Sequence, residues 1–200
     1  MNKERITVAV TGGIGSGKST VMRLIEKQSY KTFSCDELYK EVAVSQEYLL
    51  KIKELFPLAI TKAGTLDRKK LSQIVFNDKS LLAKLNAISH PLILKKLNEK
   101  IEQEKGLVFC EVPLLFESGW QDKFDFVIIV TRPFQNRIEA VCIRDNMSQE
   151  DALRRIANQF DYERLKGALP KNYFILENVG SKEELWEKLE QIIKSLPERK

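Results

Sequence analysis

The segment Gly12-Gly-Ile-Gly-Ser-Gly-Lys-Ser19 matches G-x-x-x-x-G-K-[ST] and follows directly on the apolar run Ile6 to Val10. A chain of L-residues wraps closely around a triphosphate only where several positions tolerate φ > 0, and Gly12, Gly13, Gly15 and Gly17 are read as supplying that freedom. The backbone from Gly13 through Ile14, Gly15, Ser16, Gly17, Lys18 and Ser19 to Thr20 is then expected to cradle phosphate. Lys18 adds a mobile cation for the β- and γ-phosphates, Ser19 offers a hydroxyl to Mg²⁺, and a helix opening near Lys18 points its positive end at the same anion. The expected ligand is ATP or GTP. The dinucleotide fingerprint G-x-G-x-x-G fails, because counting from Gly13 and Gly15 its third glycine would fall at Lys18.

Phosphoryl transfer asks a protein to align two substrates, neutralise the moving charge and exclude water. Asp36, read as the end of a second strand, has the right chemistry to take a proton from an alcohol, and as a short acidic residue before Glu37 it equally fits a helix N-cap. Glu111 ends a third apolar run, where a carboxylate can serve Mg²⁺ or simply face solvent; Glu117 is a second acidic candidate a few residues on. Arg137, Arg144, Arg154 and Arg155 are candidates for the phosphates, and Arg137 and Arg144, seven apart, share a face of a helix. The sole histidine, His90, precedes Pro91 and reads as a joint between two helices, with a structural role or a phosphate contact both open. Trp120 lines a pocket or covers the core, and Trp186 reads as packing.

These residues need a scaffold, and the apolar pattern supplies one. Strands are expected at Ile6 to Val10, Lys31 to Cys35, Leu107 to Val112, Phe126 to Val130 and Tyr173 to Leu176, with helical segments between them. Val127 to Val130 is apolar throughout, as a parallel strand covered on both faces requires. The expected fold is α/β, a doubly wound parallel five-stranded sheet, with its ligand at the carboxyl ends of the strands. About seventy residues separate Cys35 from Leu107, far more than a crossover needs. Residues 37–105 therefore read as a helical insertion beside the cleft, with Asp67 capping a helix Arg68 to Phe76, Asp78 capping Lys79 to Ala87, and Pro91 opening Leu92 to Glu104. Residues 134–171, with Ser148-Gln-Glu-Asp151 at a helix start, read as a lid. The core is then 1–36, 106–133 and 172–200, closed by a helix capped by Ser181 and Glu184.

Composition narrows the function classes. Two hundred residues, 43% hydrophobic and 30% charged, suit one domain with a full core. A net charge of +5 suits an anionic small molecule; with the basic residues scattered and no RNA-type aromatic motif, a nucleic-acid partner is not expected. No apolar run approaches a membrane span of about 20 residues, and the N-terminus shows no signal-peptide pattern, so no membrane association and a cytoplasmic location are expected. Cys35, Cys110 and Cys142 are odd in number and widely spaced, which indicates neither a disulfide framework nor a zinc site.

The order of signals is more specific than any one of them. Thr11-Gly-Gly-Ile-Gly-Ser-Gly-Lys-Ser-Thr20, Ser34-Cys35-Asp36, Gly64-Thr-Leu-Asp-Arg-Lys-Lys-Leu71 with Val75-Phe76, His90-Pro91-Leu92, Val112-Pro-Leu-Leu-Phe-Glu117, Gln135-Asn-Arg137, Arg155-Ile-Ala-Asn-Gln159 and Asn178-Val-Gly180 resemble, motif by motif, the dephospho-CoA kinase family. The resemblance covers nearly the whole chain. It implies a P-loop kinase core with residues 37–105 as a helical acceptor-binding insertion and residues 134–171 as a helical lid, and phosphorylation of the ribose 3′-hydroxyl of dephospho-CoA by ATP, the last step of coenzyme A biosynthesis; Mg²⁺ and a monomer or weak homo-oligomer are expected with it. The family reads Asp-Ala-Asp at Ser34-Cys35-Asp36, and Asp36, matching the second acid, is implied as the base. From the residues themselves Lys18, Arg137 and Arg144 are expected to assist the transfer and Ser19 and Glu111 to hold the metal; in the family reading Leu66, Arg68, His90, Leu114 and Phe116 face the acceptor, and Thr11 is expected there with them. A nucleoside or nucleotide kinase, or a non-catalytic nucleotide-binding module, would share the glycine loop; the latter has less need of a base and an arginine-rich lid.

Overall fold

The computed structural model describes residues 5–75, 78–162, 165 and 169–197. Five strands, β1 (Arg5–Thr11), β2 (Lys31–Ser34), β3 (Gly106–Glu111), β4 (Phe126–Thr131) and β5 (Tyr173–Glu177), form one parallel sheet in the order β2-β3-β1-β4-β5. β1 lies at its centre, paired in parallel with β3 on one side and β4 on the other. The loop leaving its carboxyl end therefore opens where the strand order reverses, the place where open α/β sheets hold ligands. Val127 to Val130 are all at most 1% exposed, as their unbroken apolar run requires.

Helices α1 (Lys18–Lys27) and α8 (Lys182–Ser195) pack against the sheet, joining Val21, Met22, Ile25, Leu185, Leu189 and Ile193 to Ile6, Val8, Val10, Phe109 and Ile128 in one apolar cluster. Each such fully buried side chain contributes about 1.5–3 kcal/mol relative to exposure. Ser181 and Glu184 form a complete capping box at the start of α8. Trp186 is half-buried against this cluster, while Trp120 is 8% exposed and thus covers core.

Two compact units emerge: residues 1–33 with 104–200, and residues 34–103. The first contains the sheet and also the α6 (Phe134–Asp145) and α7 (Gln149–Ala157) pair from the region read as a lid; residues 163–164 and 166–168 of that region lie outside the described residues. The Ser148 hydroxyl accepts the Asp151 N–H and donates to the Asp151 carboxylate, so only half of a capping box forms at α7.

The second unit is helical: α2 (Cys35–Val42), α3 (Gln46–Leu55), α4 (Arg68–Val75) and α5 (Lys79–Ile101). Asp67 and Asp78 cap α4 and α5 through the N–H groups of Lys70, Ser80 and Leu81, while Phe76, expected to end α4, lies outside the described residues. Two expectations are overturned. Cys35 does not end a strand but opens α2, with Ser34 in the N-cap position. The two helices expected around His90 are one, and α5 runs through Pro91. A proline deprives only the carbonyl four residues back of its partner, and Ala87, which carries it, is exposed. Burial of Ile88, Ile93, Leu97 and Ile101 outweighs the local preference against a helix before proline.

Candidate active site

The loop between β1 and α1 is shaped by what presses on it. Gly17 takes the left-handed conformation, φ 97°, as the N-cap of α1, and a Cβ there would run into the side-chain amide of Asn178. Gly13 is not among the left-handed glycines, contrary to the reading that all four loop glycines serve φ > 0. Its reason is space, because a Cβ at Gly13 would collide with the Arg137 guanidinium. Asn178 Nδ2 donates to the Ser16 carbonyl at 2.8 Å, and Lys18 Nζ donates to the carbonyls of Gly12 at 2.7 Å and Gly13 at 3.2 Å. Among the described residues Ser16 Oγ is buried without a hydrogen-bond partner. A buried hydroxyl left unsatisfied within a phosphate-type loop is a donor that an anion's oxygen satisfies.

Ser19, in the first turn of α1, and Glu111, the last residue of β3, come together: the Ser19 hydroxyl donates to Glu111 Oε1 at 3.4 Å. β3 neighbours β1, with Glu111 opposite Val10, so sheet register alone delivers this carboxylate to the loop. A hydroxyl and a carboxylate are the hard oxygen donors that suit Mg²⁺, which takes one or two protein ligands and completes its shell with phosphate and water. The rival acid, Glu117, is engaged elsewhere, accepting the Phe160 N–H at 3.0 Å.

Of the four candidate arginines, Arg137 alone meets the loop among the contacts described, donating from Nε to the Ile14 carbonyl at 3.0 Å. Arg144 forks onto Asp145, with Nε and Nη2 at 2.7 and 2.8 Å from its two oxygens, and Arg155 adds a third bond at 3.0 Å. The Arg144 hydrogen bonds hold the Asp145 carboxyl below the usual range. Arg154 is exposed, 3.7 Å from Asp151. Each α6 guanidinium has its own partner, Arg137 the Ile14 carbonyl and Arg144 the Asp145 carboxylate, which lies beside it in the fork geometry that arginine favours.

Thr11 is buried, its hydroxyl 3.3 Å from that of Tyr162, whose burial pushes the phenol up to about 12. Phe116 stacks on Phe160 with ring centroids 4.6 Å apart and meets Tyr162 edge-on. Leu114 is exposed while Leu115 turns into the core. Thr11 and Phe116 are therefore joined through Tyr162, a residue the sequence reading did not single out.

In the helical unit Asp36 is exposed in the first turn of α2. The N-cap alternative fails: Ser34 holds that position, and no hydrogen bond or ion pair engages the Asp36 carboxylate among the described residues. A carboxylate there also gains from the positive end of its helix. One turn on, Tyr39 lies under the Arg68 guanidinium at 5.7 Å and places its hydroxyl 3.3 Å from that of Tyr48. Tyr48 is fully buried, which raises its phenol strongly, and the Ser89 hydroxyl, next to His90, donates to the Leu85 carbonyl at 2.8 Å. The paired hydroxyls of Tyr39 and Tyr48 thus tie α2, which carries Asp36, to α3, and the Tyr39 ring meets Arg68 at the start of α4. His90 is half-buried, which lowers its pKa below the ordinary value. Leu66 is half-buried, bridged to Ile60.

A five-stranded parallel sheet with a glycine loop after its central strand, backed by lysine, serine and a neighbouring strand-end carboxylate, defines a P-loop phosphotransferase. The profile of the dephospho-CoA kinase family matches residues 6–184. Dephospho-CoA kinase of Thermus thermophilus is 35% identical over 195 residues, 97% of this chain and 93% of that protein. A crystal structure from Thermus thermophilus superposes with a TM-score of 0.83 at 35% identity, covering 98% of this chain and 100% of the other. Dephospho-CoA kinase from Campylobacter jejuni superposes at 0.61 and 26% identity, over 96% and 97% of the two chains. The chain belongs to the dephospho-CoA kinase family.

Proposed function

We propose that the chain transfers the γ-phosphoryl group of ATP to the ribose 3′-hydroxyl of dephospho-CoA, giving coenzyme A and ADP. The family match over nearly its whole length carries this reading. At residue level, the loop from Gly13 to Thr20 holds the triphosphate, with the unsatisfied Ser16 hydroxyl and the Lys18 ammonium turned to its oxygens. Ser19 and Glu111 hold Mg²⁺, which when bound neutralises charge on the β- and γ-phosphates. Asp36 accepts the proton of the 3′-hydroxyl as its oxygen attacks the γ-phosphorus and the β–γ bridging oxygen leaves with ADP. Support for this role is an exposed carboxylate that neither caps its helix nor is paired among the described residues. Arg137 serves the transferred group; Arg144 joins it only if its Asp145 fork opens. Arg68, poised over Tyr39, meets an acidic group of dephospho-CoA, with Leu66, His90, Thr11, Leu114 and Phe116 on the acceptor side.

No described helix is long and apolar enough to cross a membrane. We place the enzyme in the cytoplasm, as a monomer or weak homo-oligomer, with ATP and dephospho-CoA as its partners. The test is ADP release with dephospho-CoA against a panel of nucleosides and nucleotides, in Mg²⁺ and in EDTA. The reading expects turnover with dephospho-CoA alone and none in EDTA. Comparable turnover with a nucleoside or nucleotide, or with no acceptor at all, overturns it.

A further inference from the structure

Gln159 lies beyond the end of α7, and its side-chain carbonyl accepts the Ile14 N–H at 2.6 Å, a contact between residues 145 apart in sequence. The other side of the same residue is held as well, since Arg137 on α6 donates to the Ile14 carbonyl at 3.0 Å. The Ile14 side chain packs against the small apolar cluster of Ile138, Val141 and Ala152 that joins α6 to α7. The crown of the phosphate loop is thus gripped at its N–H, its C=O and its side chain by one helix pair. Gly13 and Gly15 flank it, and two glycines would otherwise leave this segment free to turn.

We propose that Gln159 is a positioning residue, which fixes the Ile14 backbone so that the loop is already in the shape that receives phosphate. This rests on reading the loop as the ATP site. An amide N–H committed outward to a side chain is not one of the donors turned to the ligand. Its job is to set the direction of its neighbours. Freeing it returns backbone freedom that ATP must then remove, and ordering about one residue corresponds to roughly a tenfold change in a binding constant.

The test compares Gln159→Met, which keeps length and apolar volume but loses the acceptor, with Gln159→Glu, which keeps an acceptor oxygen. Gln159→Ser, too short to reach Ile14, replaces the Met variant should that one not fold. Amide exchange at Ile14, followed by NMR without nucleotide, is expected to be slow in the parent and in the Glu variant and at least about tenfold faster in the Met variant. Calorimetry is expected to show ATP bound about tenfold more weakly by the Met variant, with KM for dephospho-CoA unchanged, a split that general loosening of the fold would not produce. Unchanged Ile14 exchange overturns the clamp whether or not the chain is a kinase. Faster exchange with equal or tighter ATP binding overturns the positioning role, and failure of the parent itself to bind ATP overturns the reading of the loop.

Discussion

The phosphate loop and the helical unit at 34–103 hold their functional groups in different ways. In the loop the working atoms are largely backbone, and they are set by side chains far along the chain: Asn178 on the Ser16 carbonyl, Gln159 and Arg137 on Ile14. In the helical unit the candidate groups are side chains, Asp36, Arg68 and His90, and the packing around Tyr48 sets only the helices that carry them. A backbone site tolerates little movement, since shifting one peptide plane redirects its neighbours. Side chains on helices tolerate more, because each can adjust its rotamers.

The sharpest break between the two comes from Lys18→Ala. Removing a positioned cation from developing charge lowers turnover by about 10²–10³-fold. Circular dichroism and the thermal midpoint are expected to stay near the parent, because Lys18 lies outside the apolar core and its bonds to the Gly12 and Gly13 carbonyls are loop contacts. Near-normal turnover would remove the loop from the mechanism.

Asp36→Asn is next and probes the opposite region. Turnover is expected to fall about 10²-fold with both substrates still binding, as loss of a general base does. Stability is expected to change little, because Ser34 and not Asp36 occupies the cap position of α2. A variant that keeps its rate and melts lower would make Asp36 a structural acid.

The two α6 arginines separate the clamp from its surroundings. Arg137→Ala is expected to lower kcat about tenfold or more, while Arg144→Ala, whose partner is Asp145, costs no more than about threefold. Steady-state kinetics with ATP varied at saturating dephospho-CoA checks both. Equal losses, or a larger loss at Arg144, would show that the fork onto Asp145 opens during turnover.

The smallest effect belongs to His90. Burial lowers its pKa in the folded state, so as pH falls through the ordinary histidine value of about 6.5 the unfolded chain takes up the proton first. Stability is therefore full above that value and declines as pH drops below it. Melting curves from pH 8 to 5 are expected to slope more gently for His90→Gln than for the parent; parallel curves would mean that His90 titrates as if exposed.

What was legible in the sequence follows the same division. All five strands, the caps at Asp67, Asp78, Ser148 and Ser181, and the loop itself could be read because each rests on local chemistry: an apolar run, a short polar side chain before a helix, glycines at fixed spacing. The Ser19 and Glu111 pair was legible because a parallel register puts one strand's end beside its neighbour's loop. Pro91 misled, since a local preference for a break lost to apolar burial along α5. The Asp145 partner of Arg144 was not legible, because spacing fixes a direction on a helix and not the partner found there. Gln159, Tyr162 and Tyr48 act through contacts to distant or neighbouring elements, and no spacing rule carries such contacts. By itself the sequence determined which atoms can bind phosphate, metal and proton, since that is set by residue type and local backbone. Only the tertiary structure decided which way the Ile14 peptide faces and which arginine reaches it, because those directions are set by packing between segments far apart in the chain.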